Sequence, residues 1–186
     1  MARRALVAAT SNSGKLEEFR TLLADLPLDV ISLEGLEPVQ FPEEGLDYAA
    51  NAAAKAQAVV DQLGQWAVAD DSGLEVNALG GAPGVNSARY GGIGMTDEER
   101  VDYLLHQMSK IPGWCRQARF RTVLAIVHFE RPEYPEVICG EVNGAITHHP
   151  RGTNGFCYDP VFWLPWRACT MAELSEQEKG EISHRG

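Results

Sequence analysis

Short apolar runs alternate with amphipathic stretches along the first seventy residues. Three of these runs are brief and continuous, which predicts buried strands at residues 5–9, 28–32 and 66–69. Between the first two, apolar side chains from Leu16 to Leu26 recur at helical spacing and share one face. An alanine-rich helix is predicted over residues 46–63, ended by Gly64. This alternation of strand and helix is typical of an α/β fold.

The pattern changes in the second half of the chain. Two capping boxes, each a hydroxyl residue followed three positions later by glutamate, predict helix starts at Thr96 and Ser175. Two long β-rich runs, residues 118–129 and 136–147, are separated by a proline-containing segment and predict an antiparallel hairpin. A further short strand is predicted at residues 161–163.

Composition places the chain among ordinary globular proteins. Its 186 residues are 45% hydrophobic and 23% charged, which predicts a single domain over residues 1–186. The formal net charge of −10 argues against a nucleic-acid polymer as partner, because such binders carry basic stripes. No run reaches the roughly 20 apolar residues of a membrane span. Four scattered cysteines without a Cys-x-x-Cys pair predict reduced thiols and a cytoplasmic location.

The most informative polar feature is the adjacent pair Asp70-Asp71, placed where the strand over residues 66–69 is expected to end. Two like charges side by side are costly unless a cation lies between them or water surrounds both. One interpretation is therefore a magnesium site facing a cleft. The other is a solvated turn, since the Asp-Ser-Gly sequence that follows is common in turns.

The segment Thr10-Ser11-Asn12-Ser13-Gly14-Lys15 joins the first predicted strand to the first predicted helix. Small side chains let backbone N–H groups approach an anion, while the helix N-terminus and Lys15 add favourable charge. The segment therefore predicts a triphosphate-binding loop. It lacks the Walker A pattern, because Ala9 replaces the first glycine and Leu16 follows the lysine. The alternative is an ordinary strand-to-helix turn.

Two further segments carry groups suited to phosphate or metal. Asn51 and Lys55 lie four residues apart on the alanine-rich helix and share a face, which places them in a polar cleft or on a solubilising stripe. Glu43-Glu44-Gly45 offers another carboxylate, and magnesium usually takes one or two from a protein. A charged loop tip is the alternative for this segment.

The last third of the chain carries groups suited to a nucleobase. Phe156-Cys157-Tyr158-Asp159 combines two aromatic rings with a carboxylate, so that a ring can stack on a base and Asp159 can accept from a base N–H. A turn with buried aromatic residues is the alternative. Lys179 with Ser183-His184-Arg185 forms a compact donor set that favours a base with carbonyl acceptors. Composition alone favours a solvated tail there.

The order of these motifs is more specific than any one of them. In chain order they are Thr10-x-Asn12-x-x-Lys15-x-x-Glu18-Phe19, Glu43-x-Gly45, Asn51-Ala52-x-x-Lys55-Ala56, Asp70-Asp71-Ser72-Gly73-Leu74, Leu79-x-Gly81-x-Pro83-Gly84-Val85-x-Ser87-Ala88-Arg89-Tyr90, Gly155-Phe156-x-Tyr158-Asp159-Pro160 and Ser183-His184-Arg185-Gly186. The set resembles the Ham1/RdgB family of non-canonical purine nucleoside triphosphate pyrophosphatases. The resemblance extends over essentially the whole chain.

This resemblance implies both a fold and an activity. The fold would be an elongated, two-lobed mixed β-sheet with flanking helices and a central nucleotide cleft, as in inosine triphosphatases. The activity would be Mg²⁺-dependent hydrolysis of XTP, ITP and dITP to the monophosphate and pyrophosphate, which cleanses the nucleotide pool. A homodimer is usual in the family.

Carried over by position, the resemblance also implies residue roles. The triphosphate would be bound by Thr10 to Lys15 with Lys55, while Glu43 and Asp71 would bind the metal and Asp71 would activate water. Ser72 would contact the substrate. The purine would be held by Phe156, Cys157, Tyr158, Asp159, Lys179, His184 and Arg185. Cys157 departs from the family pattern, which usually has glycine there, and is strained if the backbone needs a positive φ.

Two other functions stay open at this point. A Maf-like pyrophosphatase acting on dTTP and UTP is the nearest enzymatic alternative, and the Ser183-His184-Arg185 segment argues against it. A non-catalytic nucleotide-binding module is the other alternative. The acidic residues Glu43, Asp70 and Asp71 disfavour it, because without a metal they would repel a triphosphate.

Overall fold

A computed structural model of the protein describes residues 3–186, which form seven strands and four α-helices. The strands are β1 (Arg4–Ala8), β2 (Leu28–Ile31), β3 (Ala67–Val76), β4 (Gln117–Val127), β5 (Glu136–Ile146), β6 (Phe162–Leu164) and β7 (Cys169–Thr170). The helices are α1 (Ser13–Leu22), α2 (Tyr48–Leu63), α3 (Asp97–Gln107) and α4 (Glu176–Ile182). None of these helices is long and apolar enough to cross a membrane.

The seven strands form one mixed sheet in the order β2-β1-β3-β4-β5-β6-β7. β1 runs parallel to both of its neighbours, with Val7 opposite Ile31 of β2 and Ala67 of β3. Parallel neighbours need a crossover connection, and α1 and α2 supply the two that are required here. β6 runs antiparallel to β5 and to β7. The predicted mixed α/β sheet with flanking helices is confirmed.

Helix α2 begins two residues later than predicted, because Asp47 is its N-cap. The Asp47 side chain accepts a hydrogen bond from the Ala50 N–H at 2.9 Å, which satisfies one of the unpaired donors at the helix start. At the other end Gly64 has φ 62°, and its N–H donates to the Val60 carbonyl. The prediction that Gly64 ends this helix is confirmed.

The predicted capping boxes are both present. Thr96 precedes α3 and Ser175 precedes α4, and each hydroxyl accepts from a backbone N–H three residues later. A third box, formed by Thr170 and Glu173, opens a short 3₁₀ turn that the hydrophobic pattern does not predict.

Strand β3 differs most from its prediction, because it continues to Val76 instead of ending at Ala69. Asp70 and Asp71 therefore lie inside a strand, and the expectation of an acidic pair at a strand end is wrong. The two residues are 2% and 5% exposed, which excludes the solvated turn. Apolar periodicity could not reveal this extension, since the first two residues beyond Ala69 are buried and yet charged.

The chain forms two compact units, and strands β3, β4 and β5 contribute residues to both. The first unit contains the chain up to Asp71 together with Thr122–Gly140. Its core includes Leu6, Ala8, Phe19 and Val68. The second unit contains Ser72–Arg121 and Glu141–Gly186. Its core includes Leu74, Leu104, Met108, Tyr158 and Phe162. The single domain over residues 1–186 stays a prediction.

Candidate functional site

In the first unit, the loop between β1 and α1 is shaped by its own polar side chains. Asn12 is the N-cap of α1, and its Oδ1 accepts from the Lys15 N–H at 3.0 Å. The Thr10 hydroxyl accepts from the Asn12 N–H at 3.1 Å. The intervening residues Ser11 and Ser13 are exposed. The loop thus presents the N-terminus of a ten-residue helix, where the helix dipole favours an anion.

The side chain of Lys15 is fixed by an ion pair. Its Nζ lies 2.8 Å from Asp70 Oδ1, and the Asp70 side chain is fully buried. Because a buried carboxylate is costly without a cation, this pair explains how β3 accommodates Asp70. It also holds the Lys15 ammonium beside the loop that precedes α1.

Asp71 has different partners from Asp70, as expected for adjacent residues of a strand. Asn51 Nδ2 donates to Asp71 Oδ2 at 2.7 Å, and Lys55 Nζ lies 3.5 Å from Asp71 Oδ1. Burial raises the pKa of Asp71 above its ordinary value, and the Asn51 hydrogen bond and the Lys55 charge oppose part of this rise. A rise in this direction brings the pKa of a carboxyl group towards the range used in general acid–base catalysis.

Asn51 also holds the acidic loop that precedes α2. Its Oδ1 accepts from the Gly45 N–H at 2.7 Å, and its Nδ2 donates to the Gly45 carbonyl at 3.1 Å. Asn51 is only 5% exposed, so the interpretation of this position as part of a solubilising stripe is wrong. One amide side chain therefore ties the acidic loop to Asp71.

Two carboxylates contact one ammonium group in this unit. Lys55 Nζ lies 3.2 Å from Glu44 Oε1 and 3.5 Å from Asp71 Oδ1, and Glu44 is exposed like the neighbouring Glu43. Over the described residues 3–186, no three or more His, Cys, Asp or Glu side chains are gathered as a metal-binding group. The carboxylate oxygens around Lys55 are nevertheless the hard donors that Mg²⁺ prefers. The donor chemistry here fits a divalent cation.

In the second unit, Asp159 organises the aromatic loop, defined as residues 155–159. Asp159 Oδ2 accepts from the Phe156 N–H at 2.8 Å and from Lys179 Nζ at 2.7 Å. Lys179 Nζ also lies 4.5 Å from the centre of the Phe156 ring. Gly155 has φ 75°, and a Cβ there would overlap the Asp159 carboxylate. The aromatic loop is thus connected to α4 through a buried ion pair.

Cys157 has the positive φ that glycine would accept more easily, at 55°. Its N–H donates to Asp97 Oδ2 at 2.8 Å. Burial raises the pKa of the Cys157 thiol to about 12, so the thiol stays protonated at neutral pH. The next residue, Tyr158, is buried and donates its hydroxyl hydrogen to the Ser87 carbonyl at 3.0 Å.

The C-terminal segment is buried, so the prediction of a solvated tail from its composition is wrong. Ser183, His184 and Arg185 are between 7% and 9% exposed. Arg185 Nη2 donates to Ser72 Oγ at 2.6 Å, and the His184 ring stacks on Phe120 with 4.9 Å between ring centres. These contacts hold Arg185 beside Ser72 and His184 against Phe120, all within the second unit.

The predicted site residues fall into two sets, one in each unit. The first set, in the first unit, contains Thr10, Ser11, Asn12, Ser13, Gly14, Lys15, Glu43, Lys55 and Asp71. The second set, in the second unit, contains Ser72, Phe156, Cys157, Tyr158, Asp159, Lys179, His184 and Arg185. Whether these residues bind a substrate stays a prediction.

Sequence reasoning did not assign a role to Asp97 or Phe120, which hold the second set in place, and it left Asn51 between a polar cleft and a solubilising stripe. The signal for Asn51 was its place as a polar residue among alanines on a predicted helix. The carboxylate of Asp97 reaches a backbone amide sixty residues further along the chain, and the ring of Phe120 supports His184. Neither of these long-range contacts has a sequence signal.

Comparisons with known proteins agree with one another. A model of the Ham1 family matches residues 6–186. A protein named dITP/XTP pyrophosphatase from Shigella flexneri is 44% identical over 181 residues, which is 97% of this chain and 92% of that protein. A HAM1 protein structure from Coxiella burnetii has a TM-score of 0.87 at 42% identity, covering 98% of this chain and 93% of that chain. A nucleoside-triphosphatase / dITP/XTP pyrophosphatase structure from Mycobacterium abscessus has a TM-score of 0.76 at 39% identity, covering 98% and 95%.

Proposed function

The chain belongs to the Ham1 family, and we propose on this basis that it hydrolyses the non-canonical purine nucleoside triphosphates XTP, ITP and dITP to the monophosphate and pyrophosphate. The proposed enzyme is a nucleoside triphosphate diphosphatase that removes these compounds from the nucleotide pool. Its support is a relative named dITP/XTP pyrophosphatase at 44% identity over 97% of the chain, together with the chemistry of the two residue sets.

The observation that carries the proposal is the pairing of two consecutive strand residues with two different lysines. Lys15 contacts Asp70, and Lys55 contacts Asp71. Each ammonium group offers three hydrogen-bond donors and a full positive charge, which suits phosphate oxygens. We infer that oxygens of the triphosphate bind these ammonium groups alongside the carboxylates, beside the N-terminus of α1.

We propose that Mg²⁺ is bound by Asp71 and by a carboxylate of the Glu43-Glu44 segment. Bound Mg²⁺ supplies polarisation of the phosphate oxygens and lowers the pKa of a coordinated water. We propose that Asp71 takes a proton from the water that attacks the α-phosphorus, and the rise in its pKa on burial supports this role. Asn51 fixes Asp71 Oδ2, which sets the direction of the other carboxylate oxygen.

The lysines of the first set have a second task in this reaction. Negative charge builds up on pyrophosphate as it leaves, and preorganised cations stabilise such charge. Lys15 and Lys55 supply these cations. Carboxylates pair with both lysines before substrate arrives, which offsets part of the cost of burying these charges.

Selection of the purine is assigned to the second set. Lys179 and Arg185 can only donate hydrogen bonds, so the base atom that faces them must accept. The C6 carbonyl of hypoxanthine or xanthine accepts, whereas the C6 amino group of adenine donates. Polar groups left unpaired in a binding site can lower the rate by orders of magnitude. Guanine shares the C6 carbonyl, and its rejection is assigned to its 2-amino group.

The test is kcat/KM, measured by pyrophosphate release with Mg²⁺, for ITP, XTP, dITP, GTP and ATP. We expect ITP and XTP to exceed ATP by at least about 100-fold. Equal values for ATP and ITP would overturn the proposed selection. Preference for dTTP or UTP in the same assay would favour the Maf-like alternative, and nucleotide binding without pyrophosphate release would favour a binding module.

A homodimer and a cytoplasmic location complete the proposal. Both are implied by the resemblance to the family, and the cysteines, all four of which are free, agree with a reducing compartment. Light scattering on the purified protein tests the dimer, and a monomer mass would contradict it. Fractionation of cells tests the location.

A further inference from the structure

The aromatic loop contains a residue in an unfavourable backbone conformation. Cys157 has φ 55°, a region disfavoured for any residue that carries a Cβ. Its N–H donates to Asp97 Oδ2 at 2.8 Å, and Asp97 is the first residue of α3. Because this hydrogen bond holds the Cys157 N–H, it opposes rotation of the Cys157 backbone to a negative φ.

Asp97 is itself held in a defined position. Its Oδ1 accepts from Arg100 Nη1 at 2.8 Å, and Arg100 Nη2 donates to the Met95 carbonyl at 2.8 Å. Arg100 is only 7% exposed. Hydrogen bonds that involve a charged group are stronger than neutral ones. The Asp97 carboxylate thus joins a buried guanidinium to the backbone of the aromatic loop.

The groups next to Cys157 are those assigned to the purine. Phe156 directly precedes it, and the Phe156 N–H is bonded to Asp159, whose carboxylate also binds Lys179. A rotation of the Cys157 backbone to a negative φ would turn the peptide that links Cys157 to Phe156. The Phe156 ring and the Asp159 carboxylate could not both keep their places.

We propose that Asp97 is a positioning residue for purine binding, because it holds Cys157 in the left-handed conformation and so fixes Phe156 and Asp159. This inference rests on the proposed function of the aromatic loop. Asp97 acts on the loop backbone, and the residues assigned to the triphosphate belong to the other unit. Removal of the Asp97 carboxylate is therefore expected to change KM for the nucleotide and to leave kcat nearly unchanged.

The first experiment compares Asp97→Ala with Glu98→Ala. Glu98 is the next residue in the first turn of α3 and is exposed. Glu98→Ala therefore also removes one negative charge from the N-terminal end of this helix. We expect KM for ITP to rise about tenfold in Asp97→Ala, as for loss of a charge-assisted hydrogen bond, and to stay within about twofold in Glu98→Ala. Inhibition by inorganic pyrophosphate should be equal in both variants. Asp97→Asn keeps one acceptor oxygen for two donors, so we expect its KM to lie between the wild-type value and that of Asp97→Ala.

The second experiment removes the backbone strain through Cys157→Gly. Glycine accepts a positive φ without cost, so the loop should depend less on Asp97. We expect Asp97→Ala to raise KM by about twofold in the Cys157→Gly background, against about tenfold in the original chain. Equal increases in the two backgrounds would overturn the mechanism.

Hydrogen exchange of the Cys157 amide separates this inference from the proposed function. We expect the amide to exchange slowly in the wild type and in Glu98→Ala, and faster in Asp97→Ala. A wild type that hydrolyses no purine triphosphate would overturn the proposed function, and the exchange rates would still decide whether Asp97 anchors the loop. An active wild type with equal KM values and equal exchange in Asp97→Ala and Glu98→Ala would overturn this inference alone.

Discussion

The two sets of candidate site residues are held in place by different kinds of contact. In the first unit, side chains pair with side chains, as in the contacts of Lys15 with Asp70 and of Lys55 with Asp71. In the second unit, side-chain ion pairs such as Lys179 with Asp159 are present too, but the carboxylates also bind backbone amides, as in the bonds from Phe156 to Asp159 and from Cys157 to Asp97. The first arrangement consists of charges that a ligand can take over, and the second defines the shape of a loop.

This difference predicts different consequences of substitution. An ion pair in which each partner can exchange its counter-charge for a phosphate or a metal contributes to chemistry more than to folding. A carboxylate that holds a strained loop contributes to stability and to substrate affinity together. Substitutions in the first set should therefore separate activity from stability, whereas those in the second set should change both.

The largest effect is expected for Asp71→Asn. We expect kcat to fall about 1,000-fold, as for loss of a general base, while the Tm is unchanged or higher. Burial raises the pKa of Asp71 above its unfolded value, so folding stability falls as the pH rises between the two values. The charged form of Asp71 is less favourable in the folded protein than in the unfolded chain, and the neutral amide avoids this cost.

The matched control for this variant is Asp61→Asn, which removes an exposed carboxylate from α2. Activity and Tm should both stay at the wild-type level in the control. Retained turnover in Asp71→Asn, or a large fall in its Tm, would break the separation between activity and stability that the first set is expected to show.

The next largest effect is a difference in stability between Lys179→Met and Lys55→Met. Lys179 Nζ lies 2.7 Å from Asp159, whereas Lys55 Nζ lies 3.5 Å from Asp71, and all four side chains are mostly buried. We expect Lys179→Met to lower the free energy of unfolding by about 3 kcal/mol, because it leaves a buried carboxylate without its cation. Lys55→Met should lower it by about 1 kcal/mol, since its ion pair is longer and Asn51 still binds Asp71.

Urea unfolding of the two lysine variants measures this difference. Both variants should lose activity, which makes the stability values the deciding measurement. Equal losses of stability in Lys55→Met and Lys179→Met would contradict the view that the two sets are held differently.

The local signals in the sequence predicted much of this fold. Alternating apolar runs located the strands and helices of the first unit, and the boxes at Thr96 and Ser175 located two helix starts. Gly64 ended α2 as expected. These features depend on residues that are close together in the chain, and such short-range interactions can be inferred from a single sequence.

What the sequence did not reveal depends on distant contacts. The extension of β3 through Asp70 and Asp71 needs lysines from α1 and α2 to neutralise the buried carboxylates. Burial of the tail needs Phe120 and Ser72, which are more than sixty positions away in the chain. Motif order indicated that the tail had a function, but no composition or periodicity could indicate its burial.

The next effect, smaller than those of the lysine variants, is expected for Gly155→Ala. Gly80→Ala is its control. Both glycines have a positive φ, at 75° and 64°, but a Cβ on Gly80 would meet nothing within 4 Å. Gly80→Ala should therefore cost only the backbone strain, about 1 kcal/mol. Gly155→Ala should cost about 1 kcal/mol more, since its Cβ would overlap the Asp159 carboxylate, and it should also raise KM. Equal losses of stability would mean that the aromatic loop adapts freely, contrary to the comparison.

The smallest effect is expected for Glu173→Gln. Its change in Tm has the opposite sign to the change expected for Asp71→Asn. Glu173 accepts from the Thr170 N–H at 2.7 Å and from Arg151 at 3.0 Å, and these bonds lower the pKa of Glu173. A folded pKa below the unfolded value stabilises the protein above the unfolded pKa, and this stabilisation is lost as the pH falls through the folded pKa. Glu173→Gln should therefore lower the Tm slightly at pH 7 and make no difference well below pH 4.

Thermal unfolding between pH 7 and pH 3 tests this expectation, with Glu181→Gln as the exposed control on α4. The Tm curves of Glu173→Gln and the wild type should converge as the pH falls, because protonation removes the same charge that the variant lacks. Asp71→Asn should behave in the opposite way, with its Tm advantage growing as the pH rises. A constant offset in both variants would mean that packing, and not charge, distinguishes these carboxylates, and the contrast between paired charges and backbone anchors would lose its electrostatic basis.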